Sequence, residues 1–404
     1  MSVHARPVGG KLLTPLFKLM LILWAAGTAV GLVRFTRGLG AVTAMSDGYP
    51  WGLWIAFDVV VGTGLASGGY AIALLVYVFN RGRYHPLVRP ALLTSLLGYA
   101  VAGVAVTFDV GRWWALLKVP LLPWRWNGTS VLLEVALCMM AYVAVLAVEL
   151  SPALLERWRG GGHAGRARVA ARWLPRLDRA LPLVLALGLV LPTMHQSSLG
   201  SLLLVAPTKV HPLWHTPALP LLFLLTAFAM GYAIVYFEAI FSAVAFGRRL
   251  ETRLLGQLGL FVAGTLSVFL AARIASLAAA ERLSLTVTSP IAFFFWAETL
   301  LLVAAIYLFL EQGVRASPRA QLQASLLALA GAALYRMDAF LVAFDPGAGW
   351  RYFPSVGEIL VTLGLVATET MAYVVAVRRL PILAGVAEPV RRSEPAGVEE
   401  GAAS

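Results

Sequence analysis

The chain has 404 residues, of which 60% are hydrophobic and only 13% are charged, and its formal net charge is +12. A soluble protein of this length cannot bury so much apolar surface, so the composition excludes an ordinary globular enzyme and indicates a polytopic membrane protein. The positive charge does not indicate nucleic acid as a partner, because lysines and arginines accumulate in the cytoplasmic loops of membrane proteins. The predicted surroundings are a lipid bilayer.

Apolar windows of about 20 residues, long enough to cross a bilayer, predict ten transmembrane helices and an all-α fold. In chain order the windows cover 12–33, 53–79, 90–110, 129–150, 181–203, 217–246, 256–277, 288–310, 321–343 and 356–377. The first window is too long for a cleavable signal peptide and no cleavage site follows it, so we expect a retained span. Most connections are short, which predicts antiparallel neighbours.

Arginines and lysines are distributed unequally between alternate loops. The richer side holds both termini and the arginines from Arg157 to Arg179. The positive-inside rule therefore predicts an inner-membrane protein with a cytoplasmic N-terminus (1–11) and C-terminus. A loop with Trp113, Trp114, Trp124 and Trp126 is predicted on the opposite, outer face.

Two segments differ from the spans in composition. Segment 151–179 combines glycines with arginines and is predicted to be a cytoplasmic linker that lies against anionic headgroups. The tail 388–404 is rich in Pro, Gly, Ala and Glu and is predicted to be disordered.

Acidic side chains occur inside the apolar windows. They are Asp58, Asp109, Glu134, Glu149, Glu238, Glu298, Asp338 and Glu369. An ionisable group at such depth costs several kcal/mol unless it is paired or hydrated, so each is a candidate functional residue. The predicted topology places Asp58, Asp109 and Glu134 in the outer half of the membrane.

Several of these acids also have a plain structural explanation. Asp109 could form an interfacial ion pair with Arg112, and Glu149 could mark the end of its span. Glu149 lies fifteen residues after Glu134, so the two share a helix face with about 22 Å between them. They would then delimit one side of a proton route.

Metal and haem binding are not predicted. Cys138 is the only cysteine, which excludes a cysteine-ligated cluster or zinc site in this chain. Among the six histidines, only His195 falls within a predicted span. A b-type haem between two facing histidines is therefore not expected.

Specific motifs occur around the second and third spans. They are Tyr49-Pro-Trp-Gly-Leu-Trp-Ile-Ala-Phe-Asp58, Phe79-Asn-Arg81, Tyr84-His-Pro-Leu-Val-Arg-Pro90 and Asp109-Val-Gly-Arg112. This region, about 45–150, resembles the HybB-type integral membrane subunits of hydrogenase-2, within the wider NrfD/PsrC family of quinone-interacting subunits. Later spans agree in number and order but match fewer motifs.

The resemblance implies a subunit without haem or metal and with no redox centre of its own. Relatives dock an extracytoplasmic iron–sulfur subunit and a catalytic subunit, here the small and large subunits of a [NiFe]-hydrogenase. They exchange electrons with menaquinone or ubiquinone. Two four-helix bundles are implied, 45–203 with the quinone site and 204–345, flanked by spans 12–33 and 356–377.

The resemblance and the predicted depths together suggest roles for individual residues. Asp58 and Glu134 are expected to exchange protons with the quinone, and Glu149 to extend the route to the cytoplasm. Tyr99 and Arg112 would orient the quinone. Asp109 and Trp113 are expected to line the same region.

Three alternatives stay open at this stage. A molybdenum oxidoreductase could replace the hydrogenase as the partner. A proton-coupled secondary transporter would also carry acids in its spans, but no internal repeat is visible. The chain could also be a passive anchor with structural acids.

Overall fold

The computed structural model describes residues 5–248 and 250–384, with the side chain of Pro123 excepted. The predicted tail 388–404 lies outside the described residues. Within them the fold is all-α without β-strands, and ten helices are long and apolar enough to cross a membrane. They are α1 Pro15–Arg37, α2 Trp54–Val78, α3 Gly82–Asp109, α4 Val131–Gly160, α5 Ala164–Leu204, α6 Leu219–Phe246, α7 Thr252–Ala279, α8 Ala292–Leu310, α9 Pro318–Val342 and α10 Val356–Arg379. The prediction of ten spans is confirmed.

Polar caps define several helix starts. Thr14 and Ser130 accept backbone N–H bonds at the starts of α1 and α4, and Pro15 occupies the first turn of α1. Ser355 and Glu358 form a reciprocal capping box at the start of α10. These caps therefore begin α1, α4 and α10 within a few residues of the starts of the predicted apolar windows.

The predicted linker 151–179 is mostly helical. Helices α4 and α5 continue past the apolar windows and meet at a short turn, where Gly162 has φ +75°. Hydropathy detects only the bilayer-crossing part of such helices, because their extensions carry arginines. The two helices therefore form a long hairpin that projects on one side of the membrane.

Helix α2 is the most buried span and lies at the centre of the molecule. It packs against α3 and α5 on one side and against α6 and α9 on the other. Gly68 permits this approach, since a Cβ atom there would lie 3.3 Å from Ile234 and Val235. Gly64 lies at the same contact, since a Cβ atom there would lie 3.0 Å from Met230 Sδ, so two small residues four positions apart face α6.

The first and last spans pair with each other. Gly27 and Gly364 allow α1 and α10 to touch through their backbones, and α10 also packs on α2 and α3. The remaining helices α6 to α9 pack mutually. Two sides are named by their residues: the tryptophan-rich side holds the loop 110–130, and the arginine-rich side holds the turn between α4 and α5.

Two spans contain π-helical turns. Helix α2 begins with one at Trp54–Val61, and α9 ends with one at Asp338–Val342. A π turn widens the helix and leaves backbone groups free, and such turns are frequent at functional sites. Asp58 and Asp338, one in each turn, are both buried.

Candidate functional site

Asp58 lies in the π turn of α2 and faces the protein interior. It is 5% exposed, and its Oδ2 accepts a 2.7 Å hydrogen bond from the hydroxyl of Thr362 on α10. A buried carboxylate that receives only one hydrogen bond retains further accepting capacity. The geometry therefore suits a group that holds a proton or exchanges it with a neighbour.

A second buried acid, Glu358, lies in the first turn of α10. Its carboxylate accepts hydrogen bonds from the Tyr352 hydroxyl at 2.5 Å and from the Ala44 and Ser355 amides, both at 2.9 Å. Burial and the neighbouring Glu358 raise the pKa of Tyr352, which lies outside the spans, so this phenol stays a neutral donor. Sequence reasoning missed Glu358, because the motif Ser355-x-x-Glu358 reads as an ordinary capping box.

Asp109 ends α3 close to this carboxylate. It is buried, and it acts electrostatically on Glu358. Arg34 of α1 is also buried nearby and donates to the carbonyl oxygens of Phe108 at 2.7 Å and Val110 at 2.6 Å. Asp58, Asp109 and Glu358 are called the acid cluster below.

Arg112 and Trp113 follow the acid cluster in the loop on the tryptophan-rich side. Both side chains are exposed, and Trp113 packs edge-on against Phe35 with 5.4 Å between ring centres. No ion pair joins Arg112 to Asp109 among the described residues. The structure thus places Arg112 and Trp113 at the surface, beside the cluster and not within it.

Tyr99 is the centre of a separate buried group between α3, α4 and α5. Its ring packs edge-on against Tyr142 at 4.7 Å and against His195 at 5.4 Å, and its hydroxyl accepts a 3.0 Å hydrogen bond from Gln196 Nε2. These four side chains, from α3, α4 and α5, are called the aromatic cluster. All are almost completely buried.

The aromatic cluster contains polar atoms without partners. The Tyr142 hydroxyl, His195 Nε2 and Gln196 Oε1 are buried and have no hydrogen bond within the described residues. Buried polar atoms are normally paired, and those that are not point to a water or a ligand. This cluster therefore has the donors and acceptors that a polar headgroup needs.

Glu134 belongs near the aromatic cluster and not the acid cluster. It is partly exposed near the start of α4, next to Val135, whose carbonyl oxygen lies 3.2 Å from His195 Nδ1. Its carboxylate makes no hydrogen bond or ion pair with a described side chain. Helix α3 packs on the helices that carry Asp58 and Glu134, but no hydrogen bond connects the two acids.

Glu149 faces the neighbouring helix α5. A Cβ atom on Gly188 would lie only 2.7 Å from its Oε1, so the absent side chain makes room for the carboxylate. Tyr142 lies two turns earlier on the same helix and interacts electrostatically with Glu149. The face from Glu134 to Glu149 thus carries polar groups over its whole length.

A buried ion pair lies between α7 and α8. Glu298 of α8 pairs with Arg273 of α7, and Asp338 interacts with both. Arg336 of α9, fully buried, donates to the carbonyl oxygens of Val60 and Phe223 at 2.7 and 2.6 Å. Arg336 therefore connects α9 to both α2 and α6.

Three described histidines lie in or beside the spans, and of these only His211 has both ring nitrogens occupied, whereas Nε2 of His195 and of His215 has no hydrogen bond in the described part of the chain. His195 is enclosed by Tyr99 and the Val135 carbonyl. His211 uses both ring nitrogens, one for the Leu213 amide and one for Ser289, each at 3.2 Å. In the described part of the chain, no group of three or more His, Cys, Asp or Glu residues could hold a metal ion.

The chain is similar to known membrane proteins along most of its length. Residues 41–342 match the family model of polysulphide reductase, NrfD. The chain is 42% identical over 391 residues to a probable Ni/Fe-hydrogenase 2 b-type cytochrome subunit of Escherichia coli (strain K12), covering 95% of this chain and 96% of the relative. The relative's name implies a b-type haem, whereas no haem is expected from the sequence of this chain.

Two relatives come from Nitratidesulfovibrio vulgaris (strain Hildenborough). One is 35% identical over 376 residues, covering 90% of this chain and 92% of its own length. The other, a menaquinone reductase integral membrane subunit, is 30% identical over 166 residues, covering 41% of this chain and 38% of its own length. The family match and the full-length similarity, together with the ten spans, lead to one conclusion: this chain is a multi-pass membrane protein of the NrfD family, similar along its length to a hydrogenase 2 membrane subunit.

Proposed function

We propose that this chain is the quinone-reactive membrane subunit of a respiratory [NiFe]-hydrogenase complex. The full-length similarity to a hydrogenase 2 subunit supports the partner, and the similarity to a menaquinone reductase subunit supports the substrate. The observation that carries the proposal is the aromatic cluster, with three unpartnered polar atoms buried in the first bundle. The tryptophan-rich side would face away from the cytoplasm, across the inner membrane.

Electrons must come from a partner subunit. The chain has one cysteine, and the sequence predicts no haem pair among its histidines. The hydrogenase large subunit would split H2 into two protons and two electrons, and the iron–sulfur subunit would deliver the electrons. Menaquinone or ubiquinone would take up these electrons and two protons to give the quinol.

This chain would bind the quinone and supply the protons. The Tyr142 hydroxyl can donate to a carbonyl oxygen, and His195 Nε2 can accept from a quinol hydroxyl, because Nδ1 donates to the Val135 carbonyl. Glu134 can exchange a proton with the reduced oxygen. Tyr99 would position the ring by its edge-on packing. Arg112 and Trp113, exposed at the membrane surface, would stand where the quinone enters.

Asp58 and Asp109 would supply protons from the neighbouring acid cluster across α3. Asp58 has a single hydrogen-bond donor, Thr362, and is therefore free to exchange a proton with a water. Glu149 would extend the route on α4 toward the arginine-rich side. Turnover along that route would move charge across the membrane.

A different catalytic partner is the second candidate. The menaquinone reductase relative shows that a similar membrane subunit occurs in another quinone-linked complex. A molybdenum oxidoreductase would leave the quinone chemistry of this chain unchanged. Family membership disfavours the secondary transporter and gives no support to a passive anchor.

Isolation of the complex through a tag on this chain tests the partner. Metal analysis of the purified complex is expected to show nickel and iron, whereas molybdenum without nickel would replace the hydrogenase by the second candidate. Hydrogen-dependent reduction of a naphthoquinone then tests the substrate. No quinone reduction by a complex that still reduces a soluble dye would contradict the proposal.

Variants assign the residues. Asp58→Asn and Glu134→Gln are each expected to reduce quinone-linked turnover by roughly a hundredfold, since a positioned proton-transfer group contributes 10²–10⁴-fold. Hydrogen oxidation with a soluble dye should stay unchanged, because it bypasses this chain. The matched control is Glu311→Gln, an exposed acid after α8. Wild-type quinone turnover in Asp58→Asn would remove Asp58 from the mechanism.

A further inference from the structure

The last transmembrane helix carries polar side chains along one face. In order along α10 they are Glu358, Thr362, Glu369 and Tyr373. At about 100° per residue they lie within about 60° of one another and extend over about 22 Å. Ile359, Leu363 and Val366 are exposed on an adjacent face, about 80° around the helix from the polar row. The polar face of α10 is therefore turned toward the neighbouring helices, beside the apolar face that meets lipid.

At the arginine-rich end this row reaches a cavity. Tyr373 donates a 2.6 Å hydrogen bond to Glu238 Oε1 on α6. Glu238 lines a cavity of about 370 Å³, together with Arg248 and Glu251 from the following loop. Most of the lining is apolar, but a cavity of this size with three charged side chains in its wall has room for several waters. Glu238 thus links α10 to a cavity that waters can occupy on the arginine-rich side.

In the middle of the membrane the row reaches a break in α2. Helix α2 leaves regular α geometry at Ala66–Ser67, where the Ala66 carbonyl accepts a 2.5 Å hydrogen bond from Ser95. Glu369 approaches this point through Gly98, since a Cβ atom there would lie 2.6 Å from Ala66 Cβ and 3.3 Å from Glu369 Oε1. Irregular backbone at membrane depth is tolerated where it lines protein or water, so the break provides polar groups beside Glu369.

At the tryptophan-rich end the row reaches the acid cluster. Thr362 donates to Asp58, and Glu358 belongs to the cluster itself. Asp58 is close enough to Glu369 to act on it electrostatically. About 10 Å of helix separates Thr362 from Glu369, a distance that a short chain of waters spans.

We propose that these side chains form a second proton path, distinct from the Glu134–Glu149 face, between the cavity and the acid cluster. The members of this polar column are Glu238, Tyr373, Glu369, Thr362 and Asp58. Each step moves one proton between oxygen atoms and requires no electron. The inference rests on the proposed function for its purpose, since the two protons taken up by the quinone would enter from the arginine-rich side.

The path has a measurable consequence. Hydrogen oxidation releases two protons on the tryptophan-rich side, while quinone reduction consumes two protons drawn from the other side. Each quinone reduced would therefore build a membrane potential. A quinone protonated from the tryptophan-rich side alone would build none.

The purified complex in liposomes tests this with hydrogen, a naphthoquinone and a potential-sensitive dye. Glu369→Gln and Glu238→Gln are each expected to lower the initial rate of potential formation about twofold or more, because the Glu134–Glu149 face can still deliver protons, and Glu369→Asp to restore part of it. The matched control Glu311→Gln should behave as the wild type. Soluble-dye reduction reports whether the complex is intact, so a variant that fails to assemble is recognised. Wild-type potential formation by both Gln variants, in intact complexes, would overturn the path.

A second measurement records which side supplies the protons. While hydrogen reduces the naphthoquinone, a pH dye on the arginine-rich side follows proton uptake, and a potassium ionophore collapses the potential. The wild type and Glu311→Gln should take up protons from that side as quinone is reduced, and Glu369→Gln should take up fewer per quinone. Quinone reduction without proton uptake from that side would overturn the path, whereas the absence of quinone reduction would contradict the proposed function itself.

Discussion

Thr362 on α10 donates a 2.7 Å hydrogen bond to Asp58 on α2, and both side chains are buried. This bond connects the last span to the helix with the most specific sequence motif. The last span is therefore part of the candidate site and more than a flanking helix. Its contribution can be measured separately from that of the carboxylate.

Replacement of Thr362 by Val should slow quinone-linked turnover while soluble-dye reduction stays constant. A hydrogen bond to a charged group contributes about 1.5–3 kcal/mol, which corresponds to roughly tenfold or more in rate if the bond is needed for proton exchange. Thr370→Val is the matched control, because that exposed hydroxyl bonds only to Val366 of its own helix. If both variants have the same turnover, the bond to Asp58 has no part in the reaction.

The Tyr99 hydroxyl should matter for stability, and that of Tyr142 should not. Tyr99→Phe leaves Gln196 Nε2 buried without its partner, which costs about 1–3 kcal/mol. The Tyr142 hydroxyl has no partner to lose among the described residues. Thermal unfolding of the two Phe variants in detergent measures the difference.

Quinone kinetics on the same two variants separate binding from folding. If the quinone occupies the aromatic cluster, Tyr142→Phe should raise the KM for quinone with little change in the unfolding temperature. An unchanged KM together with an unchanged unfolding temperature would show that this hydroxyl contacts neither protein nor quinone.

The depth of each acidic residue along its span was predictable from the sequence, whereas the side of the helix from which its side chain projects, and the neighbours it meets there, were not. The rise per residue places Asp58 and Asp109 near the tryptophan-rich side, and the structure agrees. Asp58 and Glu134 were expected to share one quinone, but Asp58 bonds to Thr362 of α10, whereas Glu134 precedes Val135, whose carbonyl contacts His195. Which helices surround a residue depends on packing between distant segments, and periodicity carries no information about it.

Two features escaped the sequence for local reasons. Glu358 resembles a solvated capping residue, yet loop residues Tyr352 and Ala44 cover it completely. Segment 151–179 lacks an apolar window, yet it continues α4 and α5 as helix. In both cases contacts outside the hydrophobic pattern determine the structure. The positions of such groups are determined by packing between segments that are distant in the chain.

The carboxylate of Glu149 should keep its position only if residue 188 is a glycine. In Gly188→Ala the new Cβ atom would meet the carboxylate at 2.7 Å, so the side chain of Glu149 must move. Such overpacking typically costs about 1–3 kcal/mol. Gly264→Ala is the matched control, because its Cβ atom would have open space.

The same glycine variant tests the Glu134–Glu149 route. If protons pass Glu149, Gly188→Ala should lower potential formation in liposomes more than it lowers quinone reduction. Equal behaviour of Gly188→Ala and Gly264→Ala in both assays would contradict a role for Glu149 and leave the polar column of α10 as the remaining path.

The buried pair of Arg273 and Glu298 should stabilise the packing of α7 against α8. Arg273→Met leaves Glu298 and the neighbouring Asp338 without a cation in the protein interior. Removal of one partner of a buried pair costs about 3–5 kcal/mol. We therefore expect a strongly lowered unfolding temperature in detergent, with partial recovery in the double variant Arg273→Met/Glu298→Gln, which removes one of the stranded charges.

The surface pair of Arg89 and Glu156 provides the comparison for that measurement. It is joined at 2.6 Å, but each side chain is 34% exposed, and pairs of this kind contribute at most about 1 kcal/mol. Glu156→Gln should therefore change the unfolding temperature little, although its two oxygens receive a bidentate hydrogen bond. If Arg273→Met were no more destabilising than Glu156→Gln, water or another cation would have to reach Glu298. The helices α6 to α9 would then enclose an aqueous path of their own.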